Sequence, residues 1–138
     1  MSENIPPPKK LVLWIIWFAL TSSIVVYQLF LGHGVPHGTN DPTSAIHPMA
    51  FIAVAEIAIA SLVRWLLIPR NREVGKLLVL MIVGLALSES AELFGLFLIP
   101  NDQPETKLAI WILALLSALQ FMPVFANERQ PSDAFRQG

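Results

Sequence analysis

The amino-acid sequence predicts an all-α integral membrane protein, a bundle of four transmembrane helices with both termini in the cytoplasm. Three observations lead to this prediction. Hydrophobic residues make up 54% of the 138-residue chain and charged residues only 14%, whereas ordinary soluble domains have about 25% charged residues. Four apolar runs are each long enough to cross a hydrocarbon core, which takes roughly 20 helical residues. Lysine and arginine are confined almost entirely to one set of loops.

The four runs predict one transmembrane domain over residues 11–126, with helices at about 11–31, 47–68, 77–99 and 108–126. The first run follows Lys9 and Lys10, as the apolar core of a signal peptide does. It is longer than the roughly 7–15 residues usual for a signal, and no small-x-small cleavage site follows it, so we expect a retained helix. His47-Pro48 is typical of a helix start, because proline fits the first helical turn.

The positive charges predict the orientation of the helices. Residues 1–10, the connection between the second and third helices, and the tail at 127–138 carry most of them: Lys9, Lys10, Arg70, Arg72, Lys76, Arg129 and Arg136. The other two loops contain only Lys107. Positively charged loops stay in the cytoplasm, so residues 1–10 and 127–138 are predicted to be cytoplasmic.

Three carboxylates lie inside the predicted spans. Glu56 is nine residues from His47 and Glu89 is ten from Ile99, so both lie roughly 14–15 Å from the outer surface, near the middle of a ~30 Å core. Because a short loop joins the second and third helices, we expect these helices to be neighbours, and the two acids could meet or share a proton. Glu92 lies one turn nearer that surface, on nearly the same face as Glu89. Because an ionised carboxylate is costly at this depth, we expect these acids to be largely protonated and to face protein or trapped water.

A stripe of small residues predicts the packing face of the third helix. Its members recur at spacings of four, three and four: Gly84, Ser88, Ala91 and Gly95. Such a stripe lets another helix approach closely. On a helical wheel Glu92 lies beside the stripe and Glu89 lies further round. We therefore expect Glu92 at a helix contact, and Glu89 facing a cavity or another subunit.

The segment ALSESAELFGLFLIP, residues 86–100, resembles the carboxylate-bearing helix of the proteolipid (c-type) subunits of rotary ATP synthases and vacuolar-type ATPases. The resemblance covers about fifteen of the 138 residues. It implies that Glu89 takes the place of the ion-binding carboxylate, with Gly95 and Leu96 as the Gly-Leu pair that follows it. It also implies a homo-oligomer or a larger membrane complex, although the first two helices lack the glycine repeat of proteolipids.

The chain also resembles the small four-helix bacterial membrane proteins, of uncharacterised function, that carry an acid helix of this kind. This second resemblance implies a location in the bacterial inner membrane, with the lipid bilayer as the main partner.

All three histidines, His33, His37 and His47, lie in or next to the longest predicted loop, residues 32–46. Neutral imidazoles bind zinc or copper, and Asp41 could complete such a set. Glycine, proline and asparagine dominate this segment, which is typical of a flexible loop. We therefore predict no metal site and no other cofactor.

Other functional signals are missing from the sequence. It contains no phosphate loop, nucleophile elbow or zinc-protease helix, so we predict no enzyme, although the three acids could support acid–base work. The net charge of −1 without a basic cluster predicts no nucleic-acid partner, and the lack of cysteine excludes disulfides.

Two functions remain open. In the first, Glu89, Glu56 and Glu92, with Ser88, bind protons or cations inside the membrane. In the second, the protein is a non-transporting accessory or assembly protein. Its acids would then only join helices or a partner, through hydrogen bonds to side chains such as Ser88, Ser90 or Gln120.

Overall fold

The computed structural model describes residues 5–126, and all the secondary structure in this range is helical. The main elements are α1 (Pro7–Phe30), α2 (Pro48–Arg70), α3 (Val74–Phe97) and α4 (Pro104–Leu119), and a 3₁₀ helix (Pro123–Ala126) follows α4. The four segments are long and apolar enough to span a membrane, which confirms the predicted all-α architecture. The predicted tail, with Arg129 and Arg136, lies outside the described residues.

Proline residues mark the starts of three helices. α1 begins at Pro7 and α4 at Pro104, each four residues before its predicted start, and Pro48 follows the N-cap His47 at the start of α2. Proline is accepted in the first turn because its missing N–H would have no partner there within the helix. The predicted starts followed the first apolar residues, whereas the helices begin in the polar segments before them.

A π-helical segment, Val63–Leu67, interrupts α2 just before Pro69. The amide of Ile68 donates to the carbonyl of Val63, five residues back instead of four. A proline inside a helix removes one hydrogen bond and crowds the carbonyl four residues earlier, here that of Trp65. The widened π turn fits this proline into the helix, which therefore continues to Arg70, two residues beyond its predicted end.

α3 is the central helix of the bundle. It packs against each of the other three helices, and α4 also packs against α1 and α2. Within residues 5–126, α1 and α2 do not pack against each other. They therefore flank the α3–α4 pair, and α3 offers one side to α1 and another to α2.

The larger core cluster lies at the end of the bundle that holds the described chain ends and the α2–α3 connection, here called the terminal end. Its most completely buried large side chains include Leu13, Met81, Leu85 and Phe121. Because Ile5 and Ala126 both belong to this cluster, the two ends of the described chain lie on the same side of the bundle. Which side of the membrane this is stays a prediction from the positive charges.

A smaller cluster lies at the opposite end, here called the loop end, where residues 31–47 connect α1 to α2 and residues 98–103 connect α3 to α4. It is built mainly from small or branched residues: Ala50, Ala53, Ala91, Ile99 and Ile110.

The outside of the bundle is apolar. Large side chains on several helices point outward, and Phe18, Phe51 and Trp65 each have more than 60% of their surface exposed. An apolar surface of this extent is unfavourable in water and is ordinary in contact with lipid. The architecture is that of a small multi-pass membrane protein.

Candidate functional site

Three carboxyl groups lie in the half of the bundle nearer the loop end. Glu56 is eight residues from the start of α2 and Glu89 is eight from the end of α3, so both are about 12 Å from the helix ends. Glu92 is five residues, or about 7.5 Å, from the end of α3. Each of the three has a different environment.

Glu92 is the most deeply buried of these acids, with 1% of its surface exposed. Neither of its carboxyl oxygens has a hydrogen-bond partner among the described residues. Glu92 follows Glu89 by three residues, so the two are neighbours on the surface of α3. An ionised carboxylate in such surroundings is strongly unfavourable.

Glu89 is half-buried and contacts α1. Its Oε1 lies 2.7 Å from the Oγ of Ser23, which in turn lies 2.7 Å from the backbone carbonyl oxygen of Leu20. A serine hydroxyl has one proton to donate. Ser23 therefore donates either to Glu89 or to Leu20, and in the second case a protonated Glu89 can donate to Ser23. The two arrangements differ by the position of one proton on the carboxyl group.

Glu56 takes its partner on a different helix. The hydroxyl of Ser90 on α3 donates to Oε1 of Glu56 over 3.0 Å, while Oε2 is buried without a partner among the described residues. Glu89 and Ser90 are adjacent in sequence but face opposite flanking helices, α1 and α2. Glu56 thus bonds to the residue beside Glu89, at the same depth, and not to Glu89 itself.

The small-residue stripe of α3 faces α4 and the turn that follows it. All four stripe residues are buried. A methyl group added at Gly84 would overlap the ring of Phe121, and one added at Gly95 would lie 2.8 Å from Cγ2 of Ile110. The stripe therefore receives large side chains, and Glu92 lies between these two contacts along the helix.

Ser88, predicted as an additional ligand, is engaged in hydrogen bonds within the bundle. Its hydroxyl lies 2.7 Å from that of Ser117 on α4 and also donates to the carbonyl oxygen of Gly84 over 3.0 Å. The side-chain amide of Gln120 donates to Ser117 over 3.2 Å and to Ser61 on α2 over 3.1 Å. These polar side chains join three helices on the terminal-end side of Glu92.

The histidines have local roles in the described structure. Nδ1 of His47 accepts a bond from the amide of Met49, which caps α2, and Nδ1 of His37 lies 3.1 Å from the carbonyl oxygen of Val35. The hydroxyl and the amide of Thr43 donate to Asp41, and these bonds hold the pKa of its carboxyl below the ordinary value. Residues 5–126 contain no group of three or more such side chains arranged to hold a metal.

Two residues that the sequence analysis did not single out hold the loop segment 32–46 in place. The buried side-chain amide of Gln103 donates to the hydroxyl of Ser44 and to the carbonyl of Ala45. Oδ1 of Asn40 accepts a bond from the amide of Glu105 at the start of α4. The segment expected to be an ordinary flexible loop is therefore tied to the α3–α4 connection.

Comparison with known proteins identifies no relative of this chain: no family model matches it, and neither does a curated protein or a solved structure. The resemblance of residues 86–100 to proteolipid subunits thus stays an expectation from a short segment.

Proposed function

We propose that this multi-pass membrane protein binds and exchanges protons, or small cations, at the carboxyl groups of Glu92, Glu89 and Glu56. The observation that carries the proposal is the carboxyl group of Glu92, which is buried in the bundle with no partner for either oxygen among the described residues. Buried polar groups in proteins are nearly always hydrogen-bonded, so an exception of this kind points to a functional role.

The contact between Glu89 and Ser23 supports the same proposal. The hydroxyl of Ser23 has two acceptors at 2.7 Å and one proton, so this pair can exist with the carboxyl either protonated or ionised. A group that tolerates both states without a change of packing suits repeated proton uptake and release. Glu89 and Glu92 lie three residues apart on α3 and are therefore neighbours on its surface, and two neighbouring carboxyl groups are not both readily ionised.

A second function, that of an accessory or assembly protein, is supported by a different observation. Ser90 joins Glu56 on α2 to α3, and Ser23 joins Glu89 on α3 to α1, so two of the three acids connect helices. Hydrogen bonds of this kind stabilise membrane bundles without any transport. Glu92 has no such bond among the described residues. A role in joining helices therefore does not account for Glu92, whereas proton or cation binding does.

Ion flux through reconstituted vesicles tests the proposal. The purified protein is placed in proteoliposomes that contain a dye sensitive to protons, to sodium or to potassium in separate preparations, and the flux of each ion is driven by its own concentration gradient. Glu92→Gln keeps the size of the side chain but removes the exchangeable carboxyl group. We expect it to lower the flux about a hundredfold, the lower end of what a positioned acid–base group contributes.

Glu105→Gln is the matched control, because Glu105 is an exposed acid in the first turn of α4. It should leave the flux unchanged. Folded wild-type protein that conducts none of the three ions above the level of empty vesicles would contradict the proposal and favour the accessory function. Equal flux from wild type and Glu92→Gln would show that Glu92 takes no part.

A further inference from the structure

A polar pocket opens at the loop end of the bundle. It has a volume of about 430 Å³ and is bordered by the end of α1, the loop that follows it, the end of α3 and the start of α4. Its polar side chains are Gln28, His33, His37, Asn101 and Lys107. The ammonium group of Lys107 is held in place by bonds to Oδ1 of Asn101, at 2.7 Å, and to the carbonyl of Leu96.

The floor of this pocket lies one helical turn from Glu92. Leu96 lines the pocket and follows Glu92 by four residues, so the two lie on the same face of α3, about 6 Å apart along the axis. Gln28 lines the same pocket, and only 4% of its surface is exposed. Gly32 packs against both, because a methyl group added there would contact Gln28 and approach Cδ1 of Leu96 to 2.8 Å.

The opposite direction along α3 is closed by the larger core cluster. Glu92 is 18 residues, or about 27 Å, from the start of α3 at the terminal end. Leu85 and Met81 lie on the same face as Glu92 in this direction and have 1% and 0% of their surface exposed. Phe121, fully buried against Gly84, fills the space beside them.

We propose that this pocket is the aqueous entrance to the carboxyl site. Leu96 and Gln28 form a barrier one turn thick between the pocket and Glu92, and the packed core closes the site toward the terminal end. Water, protons and small cations then reach Glu92 from the loop end. That protons or small cations use this entrance rests on the proposed function, whereas the accessibility of Glu92 to water does not.

Thiol accessibility tests this inference cleanly, since the natural chain has no cysteine. Glu92→Cys and Leu85→Cys form a matched pair: both positions have 1% exposure, on the same face of α3. Each variant is placed in lipid nanodiscs, where both membrane faces meet water, and its rate of reaction with a small charged thiosulfonate is measured. We expect Glu92→Cys to react at least about tenfold faster, because opening the thin barrier requires only a local fluctuation.

A second substitution tests the barrier itself. Leu96→Ala should speed the reaction of Glu92→Cys by about threefold or more, because removing the side chain thins the barrier. Leu78→Ala is the control, since Leu78 is a half-buried leucine nearer the start of the same helix, and it should leave this rate unchanged. If the α3 variants fail to fold, Gln28→Cys, which lines the pocket, and Ile24→Cys, one turn deeper on α1 with 0% exposure, test whether the pocket is open to water.

Equal rates for the two members of a pair, or no effect of Leu96→Ala, would overturn the inference. The outcomes are separable from those of the flux assay. Fast reaction of Glu92→Cys without any flux in the wild type would leave the entrance standing and refute ion exchange. Flux in the wild type with an unreactive Glu92→Cys would place the route elsewhere.

Discussion

The contact between Gly84 and Phe121 offers the sharpest test of how the helices pack. Gly84→Ala adds one methyl group to α3 at a point where it would overlap the ring of Phe121. The ring is fully buried in the larger core cluster, so it has little room to move away. Overpacking of this kind typically costs about 1–3 kcal/mol of folding free energy.

Gly75→Ala is the matched control for this prediction. Gly75 also lies in α3, but a methyl group there would have its nearest neighbour at 3.9 Å, the Oε1 atom of Glu73. Alanine gains up to about 1 kcal/mol over glycine in the helix interior at Gly84 and less in the first turn at Gly75, so this gain offsets part of the overpacking cost. Gly84→Ala should therefore have an unfolding free energy about 1–2 kcal/mol lower than that of Gly75→Ala.

Denaturation in mixed micelles, followed by tryptophan fluorescence, measures this difference. Trp17 reports on the region, because its ring N–H donates to the carbonyl of Ala118, close to Phe121 in the chain. In a double-mutant cycle with Phe121→Ala, the destabilising effects of the two substitutions should be less than additive, since the truncation removes the clash. Unfolding free energies of Gly84→Ala and Gly75→Ala within about 0.5 kcal/mol of each other would refute this packing.

Three further predictions concern the polar contacts and the topology. The hydroxyls of Ser88 and Ser117, 2.7 Å apart, should show a coupling of about 0.6–1.7 kcal/mol in a double-mutant cycle of alanine substitutions, and additive effects would contradict the bond. Gln103→Ala should destabilise the fold by about 1–2 kcal/mol in thermal unfolding, because it removes two side-chain bonds to the loop segment 32–46. A cysteine introduced at Thr39 should react with impermeant reagents in intact cells, whereas labelling of a cysteine in the tail, with none at Thr39, would reverse the predicted orientation.

The helices were predictable because a helix that spans the bilayer must be about 20 residues long and largely apolar, and the sequence shows both properties directly. Apolar runs of about 20 residues identify spans whatever the tertiary packing, and all four are present as helices. The ends were less predictable. Pro7 and Pro104 stand in polar segments, and an apolar-run criterion leaves out these first turns although proline favours them. The end of α2 was also hard to predict, because Pro69 could either end the helix or be accommodated by a widened turn, and the structure has the π turn.

Part of the carboxyl site was accessible from helical geometry. The wheel placed Glu92 beside the small-residue stripe, and the structure buries it between contacts of that stripe with Phe121 and Ile110. Equal depth for Glu56 and Glu89 also follows from counting residues, but the expectation that the two acids meet is wrong, because Glu56 bonds to Ser90 and Glu89 to Ser23. Helical periodicity therefore predicts both the depth of a residue in the membrane and the face of the helix on which it lies.

The hydrogen-bond partners of the acids could not be predicted from the sequence, because they depend on how the helices are arranged around α3. Ser23 reaches Glu89 only because α1 and α2 lie on different sides of the α3–α4 pair, and hydropathy carries no information on that arrangement. The roles of Gln103 and Asn40 were not predicted for a related reason. Polar loop residues look alike in sequence, and only the tertiary structure shows that Gln103 is buried.

Infrared spectroscopy of the carboxyl stretch tests the central claim most directly, that Glu92 holds a proton it can exchange with water. The wild-type protein in lipid should show a protonated-carboxyl band near neutral pH, and Glu92→Gln should lose part of it, whereas Glu105→Gln should not. On transfer to deuterated water the Glu92 contribution should shift promptly, because the pocket at the loop end admits water. An identical band in wild type and Glu92→Gln, or a Glu92 band that does not shift in deuterated water, would contradict the account.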